Sequence, residues 1–342
     1  MIGLLGFFAV LGVGRWRGWR EIAVWAGFLG WWAVIMAAHL PMVAENPIRR
    51  LVGGDIGGWL VFGLLAGAVS IYRLAFRALG RRKQEPVQIA VGAFRAVELD
   101  RYARHILLRE IGGPGQKRLR GARVLVVGAG GLGSSALMYL AASGVGVIGV
   151  IDADVIENSN LQRQIIHTDQ RIGMPKVFSA EIAMKALNPF IEVRPYHRRL
   201  TEENAAALVA DYDLVLDGTD NLDTRYLVNR VCVAARKTLI SGAITQWEGQ
   251  LSLFDSAKGT PCYECIFPVR PAPGLAPSCA EAGVAAPLPG VIGAMMAMEA
   301  IKHITGAGET LAGRLMIHDA LFADCRVIAL QRRADCAACG VR

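Results

Sequence analysis

The segment that most constrains this chain is Arg123-Val-Leu-Val-Val127 followed at once by Gly128-Ala-Gly-Gly-Leu-Gly133. A short, almost wholly apolar run reads as a strand buried on both faces, as in a parallel sheet. The G-x-G-x-x-G that follows reads as a tight turn into a helix over about Gly131–Ser143. Gly128 permits the turn, and Gly130 and Gly131 let backbone approach an anion. Gly133 completes the pattern, and the helix start offers free N–H groups. A second strand is expected at Val147–Ile151. Asp152 at its end is placed to accept from a ribose hydroxyl. The pattern points to a nucleotide, and at this stage NAD and ATP fit it equally.

Downstream, helices are expected at Lys176–Leu187 and Leu222–Ala235, and strands at Ile191–Pro195, Leu214–Leu216 and Thr238–Ser241. This alternation is that of a doubly wound, Rossmann-like α/β unit. After Gly242 the pattern changes to shorter strands, loops and one helix over Val291–Ile304, with Met295, Met296 and Met298 read as core packing. Ahead of the first strand, Arg101–Glu110 reads as a short helix.

The N-terminal third is different. The 342 residues are 53% hydrophobic and 19% charged, with a mean hydropathy of +0.36. Six of the seven tryptophans lie in the first 59 residues, and eleven Lys/Arg face six Asp/Glu up to Asp100. Ile22–Ala44 and Ile56–Tyr72 carry no formal charge, and arginines flank both. These features suggest an α-helical transmembrane anchor of two or three helices over residues 1–83. A linker at 84–99 and a catalytic part at 100–342 would follow, on the cytoplasmic face of the inner or plasma membrane. Residues 1–14 are a third apolar stretch. No stripe of basic and aromatic residues suggests nucleic-acid binding.

Further motifs separate the nucleotides. Ser159-Asn160-Leu161-Gln162-Arg163-Gln164, Gly173-x-x-Lys176 and Asp217-Gly-Thr-Asp220-Asn221 follow in order. Arg163 and Lys176 can neutralise phosphate oxygens and Asp220 can hold Mg²⁺, which suits a triphosphate better than a dinucleotide.

This ordered set resembles the MoeB/ThiF/HesA family of the ubiquitin-activating-enzyme superfamily, most nearly its MoeB members. The resemblance runs from Asp100 to Gly340. It includes Arg101-Tyr-x-Arg104-His105, Ser241-Gly-Ala, Cys262-Tyr-x-Cys265, Cys279-x-Glu-Ala-Gly-Val and a final Cys336-x-x-Cys339-Gly. It implies ATP-dependent adenylation of the C-terminal glycine of a ubiquitin-like sulfur carrier. A MoaD-like carrier for molybdopterin is the first reading and a ThiS-like one for thiamine the second. It implies an ATP site of Gly131, Asp152, Ser159, Asn160, Arg163, Lys176, Asp220 and Asn221. It also implies a homodimer in which Arg104 reaches the partner's phosphates, and a sulfur donor that is a separate protein. An NAD-binding redox or regulatory protein on the same fold and a silent scaffold remain as other readings. No histidine is assigned to catalysis, and His105 and His167 are read as structural.

Two C-x-x-C knuckles, Cys262/Cys265 and Cys336/Cys339, suit a closed tetrahedral thiolate site for structural Zn²⁺. Cys279 is a further candidate, as a sulfur-handling or thioester nucleophile. Cys232 and Cys325 read as ordinary buried thiols.

Overall fold

A computed structural model describes residues 7, 21–39, 55–80, 94–270 and 282–340. The chain divides into two units, Met1–Ile89 and Ala90–Arg342.

The first unit contains α1 (Glu21–Ala38) and α2 (Ile56–Gly80). Ile35, Trp59 and Phe7 are buried together, with Phe28, Trp31, Trp32 and Met36 packed around them. Trp32 Nε1 donates to the Trp59 carbonyl at 3.0 Å, and the Trp32 ring lies where a Cβ on Gly63 would stand. The absence of that Cβ lets the two helices approach closely.

The expected membrane anchor is not upheld. Among the described residues no helix is long and apolar enough to cross a membrane. The helix expected over Ile22–Ala44 stops at Ala38, where His39 Nδ1 donates back to the Ile35 carbonyl at 2.9 Å. Pro41 disfavours helix at the residue before it. Eighteen residues at about 1.5 Å each reach roughly 27 Å, short of a hydrocarbon core of about 30 Å. In α2 the uncharged stretch ends at Tyr72, before Arg73, so it too falls short. The membrane location inferred from these segments falls with them. Apart from Phe7, residues 1–14 lie outside the described residues.

The second unit is α/β. Its elements are α3 (Ala96–Ile106), α4 (Gly112–Gly121), β1 (Arg123–Val127), α5 (Gly131–Ser143), β2 (Val147–Ile151), α6 (Lys176–Leu187), β3 (Glu192–Tyr196), α7 (Glu202–Ala210) and β4 (Leu214–Asp217). They continue with α8 (Leu222–Ala234), β5 (Thr238–Ile244), β6 (Glu248–Phe254), α9 (Tyr263–Ile266), α10 (Leu288–Thr305), β7 (Arg314–Asp319) and β8 (Asp324–Ala329). The strands form one sheet in the order β3-β2-β1-β4-β5-β6-β7-β8. The pairings from β3 through β5 are parallel and those from β5 to β8 antiparallel.

After Arg123, strand β1 is wholly apolar and buried because both its faces are covered. Val124 and Val126 join a core with Leu132, Leu137, Ile292 and Met296 from α5 and α10. Leu125 and Val127 join the opposite core with Val215, Tyr212 and Tyr226. Most expected elements lie within one or two residues of the observed ones. The exceptions are α4, α7 and α9, which were not expected, β5, which runs three residues further, α10, which starts three residues earlier, and α3, which starts five residues earlier. There Glu98 accepts from the Arg95 backbone at 3.0 Å, closing the first turn. The segments after Gly242 are not shorter strands: β6 has seven residues and β7 and β8 six each. Met296 is fully buried, but Met298 is exposed.

The chain order reverses between β1 and β4, which both neighbour each other in the sheet's centre. That reversal opens a crevice beyond the strands' carboxyl ends, where ligands of such folds bind.

Candidate active site

The crevice is a cavity of about 750 Å³. Its floor is the turn after β1. Gly128 has φ +95° and lies against Gly218 and Thr219 of the turn after β4, so a side chain there would be strained and crowded. A Cβ on Gly133 would stand 2.0 Å from the Gly128 carbonyl oxygen. The first turn of α5 can fold back on the loop only because that position is glycine.

Asp152 ties the loop to β2. One carboxylate oxygen accepts from Ala129 N and the other from Asp154 N, each at 2.8 Å. Burial raises its pKa, and the nearby Lys176 charge opposes that rise. Lys176 is itself 6% exposed. It opens α6, and its Nζ meets Asp154 at 2.8 Å. Arg163 donates to the Ser159 carbonyl at 3.0 Å. Buried Asn160 accepts from Glu157 N at 3.1 Å. Asp220 is exposed, and Asn221 caps α8 by accepting from Thr224 N at 3.0 Å.

The structure therefore brings Gly128, Gly130, Gly131, Asp152, Asn160, Arg163, Lys176, Asp220 and Asn221 to one cavity wall. Gly133 lies beneath the loop, and Ser159 faces Glu157, 3.4 Å away. Neither borders the cavity. Arg104 is exposed on α3, away from the cavity of its own chain. Cys279 lies outside the described residues.

Sequence reasoning missed several groups. Arg198, Arg199, Arg230 and Arg270 border the cavity, which carries seven Arg/Lys against five Asp/Glu. Arg198 and Arg199 follow β3 directly, and the rule that ligands sit at the carboxyl ends of parallel strands could have flagged them. Buried Arg225 also borders it, beside buried Asp217. His167 is structural, as expected, but its place matters. Its Nε2 donates to the Ala129 carbonyl and its Nδ1 accepts from Ser179, both at 3.0 Å. It props the glycine loop from behind. Burial, with the charges of Lys176 and Arg171, lowers its pKa from 6.5 to about 4, so it stays neutral. His105 Nδ1 contacts Gln116 of α4 at 3.3 Å and does not border the cavity.

The four knuckle cysteines form a second, closed site. All four are buried, and their sulfurs lie within 4.8 Å of one another. Individual separations are 3.4 Å (Cys265–Cys339), 3.6 Å (Cys262–Cys336) and 3.9 Å (Cys262–Cys265). These are far beyond an S–S bond of about 2.05 Å. They bracket the roughly 3.8 Å edge of a tetrahedron with metal–sulfur bonds of about 2.3 Å. Asn229 of α8 donates to Cys262 Sγ at 3.7 Å and accepts from Tyr263 N at 2.9 Å. Cys232 is buried, but Cys325 is exposed, because β8 is the outermost strand.

The model of the ThiF family matches residues 102–339. This chain belongs to the ThiF family. The sulfur carrier protein adenylyltransferase of Thermus thermophilus is 48% identical over 247 residues, covering 71% of this chain and 91% of the relative. The adenylyltransferase and sulfurtransferase MOCS3 of Culex quinquefasciatus is 46% identical over 243 residues, 71% of this chain and 55% of the relative. Among solved structures, E. coli MccB with ATP is 25% identical with a TM-score of 0.62, covering 72% of this chain and 75% of that one. Membership agrees with the resemblance carried by the motifs.

Proposed function

We propose that this ThiF-family enzyme is an adenylyltransferase that activates the C-terminal carboxylate of a ubiquitin-like sulfur carrier with ATP. The observation that carries this reading is the crevice at the β1–β4 reversal. There the glycine loop, Arg163, Lys176 and Asp220 surround one cavity. Asp152 would hold the ribose, and Arg163 and Lys176 the phosphates. Asp220 would hold Mg²⁺ near the attacking carboxylate.

In the reaction, a carrier carboxylate oxygen bonds to the α-phosphorus of ATP. The α–β phosphoanhydride breaks, and pyrophosphate leaves with the electron pair. Two anions must approach, so cations lower the barrier by offsetting their repulsion and stabilising the leaving group. A carboxylate is already ionised at pH 7 and needs no general base. This agrees with the absence of histidine among the cavity's described lining residues. An NAD-dependent role fits this cationic wall less well. Sulfide-level sulfur from a separate donor protein would then bond to the acyl carbon as the bond to AMP breaks, leaving a thiocarboxylate and free AMP, a step in which Cys279 is a candidate participant. Arg104, exposed on α3, would reach the phosphates of a second copy in a homodimer.

The four cysteines fit Zn²⁺ by donor type, separation and burial. With four thiolate ligands and no open position the ion would hold the chain end against α8 without taking part in the reaction. We read the carrier as MoaD-like, for molybdopterin synthesis, because the motifs resemble MoeB most nearly. A ThiS-like carrier is the second reading.

ATP–pyrophosphate exchange by the Mg²⁺-supplied protein, with each carrier added in turn, tests this. Exchange with the MoaD-like carrier alone is expected. Exchange with the ThiS-like carrier alone would move the protein to thiamine synthesis, and exchange with neither would overturn the carrier assignment.

A further inference from the structure

Arg225 lies on α8 one turn after the Asn221 cap, its backbone N–H donating to the Asn221 carbonyl at 3.1 Å. It is 5% exposed, an unusual place for a guanidinium. Its Nη1 donates to Ser241 Oγ at 3.1 Å, and its Nη2 donates to the Gly242 carbonyl at 2.7 Å and to the Thr219 carbonyl. The guanidinium also lies 3.7 Å from Asp217, which is 1% exposed. Asp217 Oδ1 in turn accepts from Thr219 N at 3.0 Å and from Thr219 Oγ1 at 2.7 Å.

Thr219 is thus held at its amide, its hydroxyl and its carbonyl by one buried ion pair. The next residue is Asp220. Because a peptide unit is planar, holding the Thr219 carbonyl fixes the plane from which Asp220 departs. The Asn221 cap fixes the other side. The one exposed carboxylate of this turn is therefore set between two anchored neighbours. These bonds come from two nitrogens of one rigid planar fork, a geometry that the single ammonium nitrogen of a lysine does not reproduce.

We infer that Arg225 is a positioning residue: it aims Asp220 at the metal–phosphate part of the cavity through the Thr219 peptide. This rests on the reading of Asp220 as the Mg²⁺ ligand.

The test is calorimetric binding of ATP to the full chain, with and without Mg²⁺, for wild type, Arg225→Lys, Asp220→Asn and the double variant. Lysine keeps the charge beside Asp217 but loses the fork. Arg225→Lys should weaken Mg²⁺-dependent ATP binding about tenfold and leave Mg²⁺-free binding near wild type. In the double variant it should add nothing to Asp220→Asn, since its effect travels through that carboxylate. A purely structural role would lower both kinds of binding equally, and its loss would persist in the Asp220→Asn background. Either result overturns the inference. Thr219→Val removes one hydroxyl from the same clamp and keeps Arg225. It should show the same Mg²⁺-specific loss, smaller, and wild-type behaviour in it would also overturn the inference if Arg225→Lys does not fold. Wild type that binds no ATP with Mg²⁺ would instead overturn the nucleotide reading beneath it.

Discussion

The nucleotide crevice and the four-cysteine cluster both border α8 and are built on different plans. In the crevice Asp220 and Asn221, which would touch ligand, are exposed, Lys176 and Asn160 are buried at the wall, and further buried groups behind them hold the geometry. Asp217, Arg225, His167 and Ser179 form that hidden layer. In the cluster the four cysteines are themselves the buried layer. The contrast teaches that a site built for turnover backs its contact groups with a separate supporting layer, whereas a site built to hold the chain merges the two. Damage should divide accordingly: loss of stability at the cluster, loss of rate or affinity at the crevice.

The largest effect should follow Cys262→Ser. Removing one ligand from a closed thiolate site costs the folding energy that the metal supplies, about 4–5 kcal/mol or more. Zinc content should fall from one per chain to near zero, with a large drop in melting temperature. A zinc-free variant that melts like wild type would erase the distinction.

Asp220→Asn should do the reverse. Carrier-dependent exchange should fall about 10²- to 10³-fold, the usual cost of one well-placed electrostatic group. Melting temperature and zinc content should stay unchanged, because this carboxylate is exposed.

His167 sharpens the role of the hidden layer. The folded chain keeps it neutral to about pH 4, while its ordinary pKa is 6.5. Between these values the unfolded chain binds the extra proton. Its contribution to stability is therefore whole above pH 6.5 and is lost as pH falls towards 4, by up to about 3 kcal/mol. Denaturant melts across that range should show the decline. In His167→Gln, whose amide can still donate to Ala129, the decline should flatten.

The smallest effect is expected at Asn221→Ala. Losing a helix cap costs about 1 kcal/mol. Melting should show that small loss with zinc content intact, and ATP affinity should fall because Asn221 borders the cavity.

Much of the crevice was legible because its chemistry demands residue types that stand out at short range. The apolar run of β1, the glycines after it and Asp152 all lie within 30 residues. The cluster was legible for the same reason, through two short knuckles. What stayed hidden depends on contacts across the fold. The helix α4 begins Gly-Gly-Pro-Gly, a poor helical start, and packs through Leu119, which is fully buried. Thr201 opens α7 and Asn204 accepts from its backbone at 3.1 Å, a local signal that was present and overlooked. Arg225 looked like any helical arginine, because its partners at 217, 219, 241 and 242 come from the end of β4, the turn after it and the middle of β5. Cys325 and Met298 looked like core because apolar neighbours cannot reveal that a strand is outermost or which helix face is bare. In the first unit the apolar character was plain, but the length of uninterrupted helix was not.

The central claim is tested most directly by pyrophosphate exchange with one carrier in two forms, its C-terminal glycine free or amidated. The account predicts Mg²⁺-dependent exchange with the free carboxylate and none with the amide. Equal exchange with both, or exchange without any carrier, would contradict it.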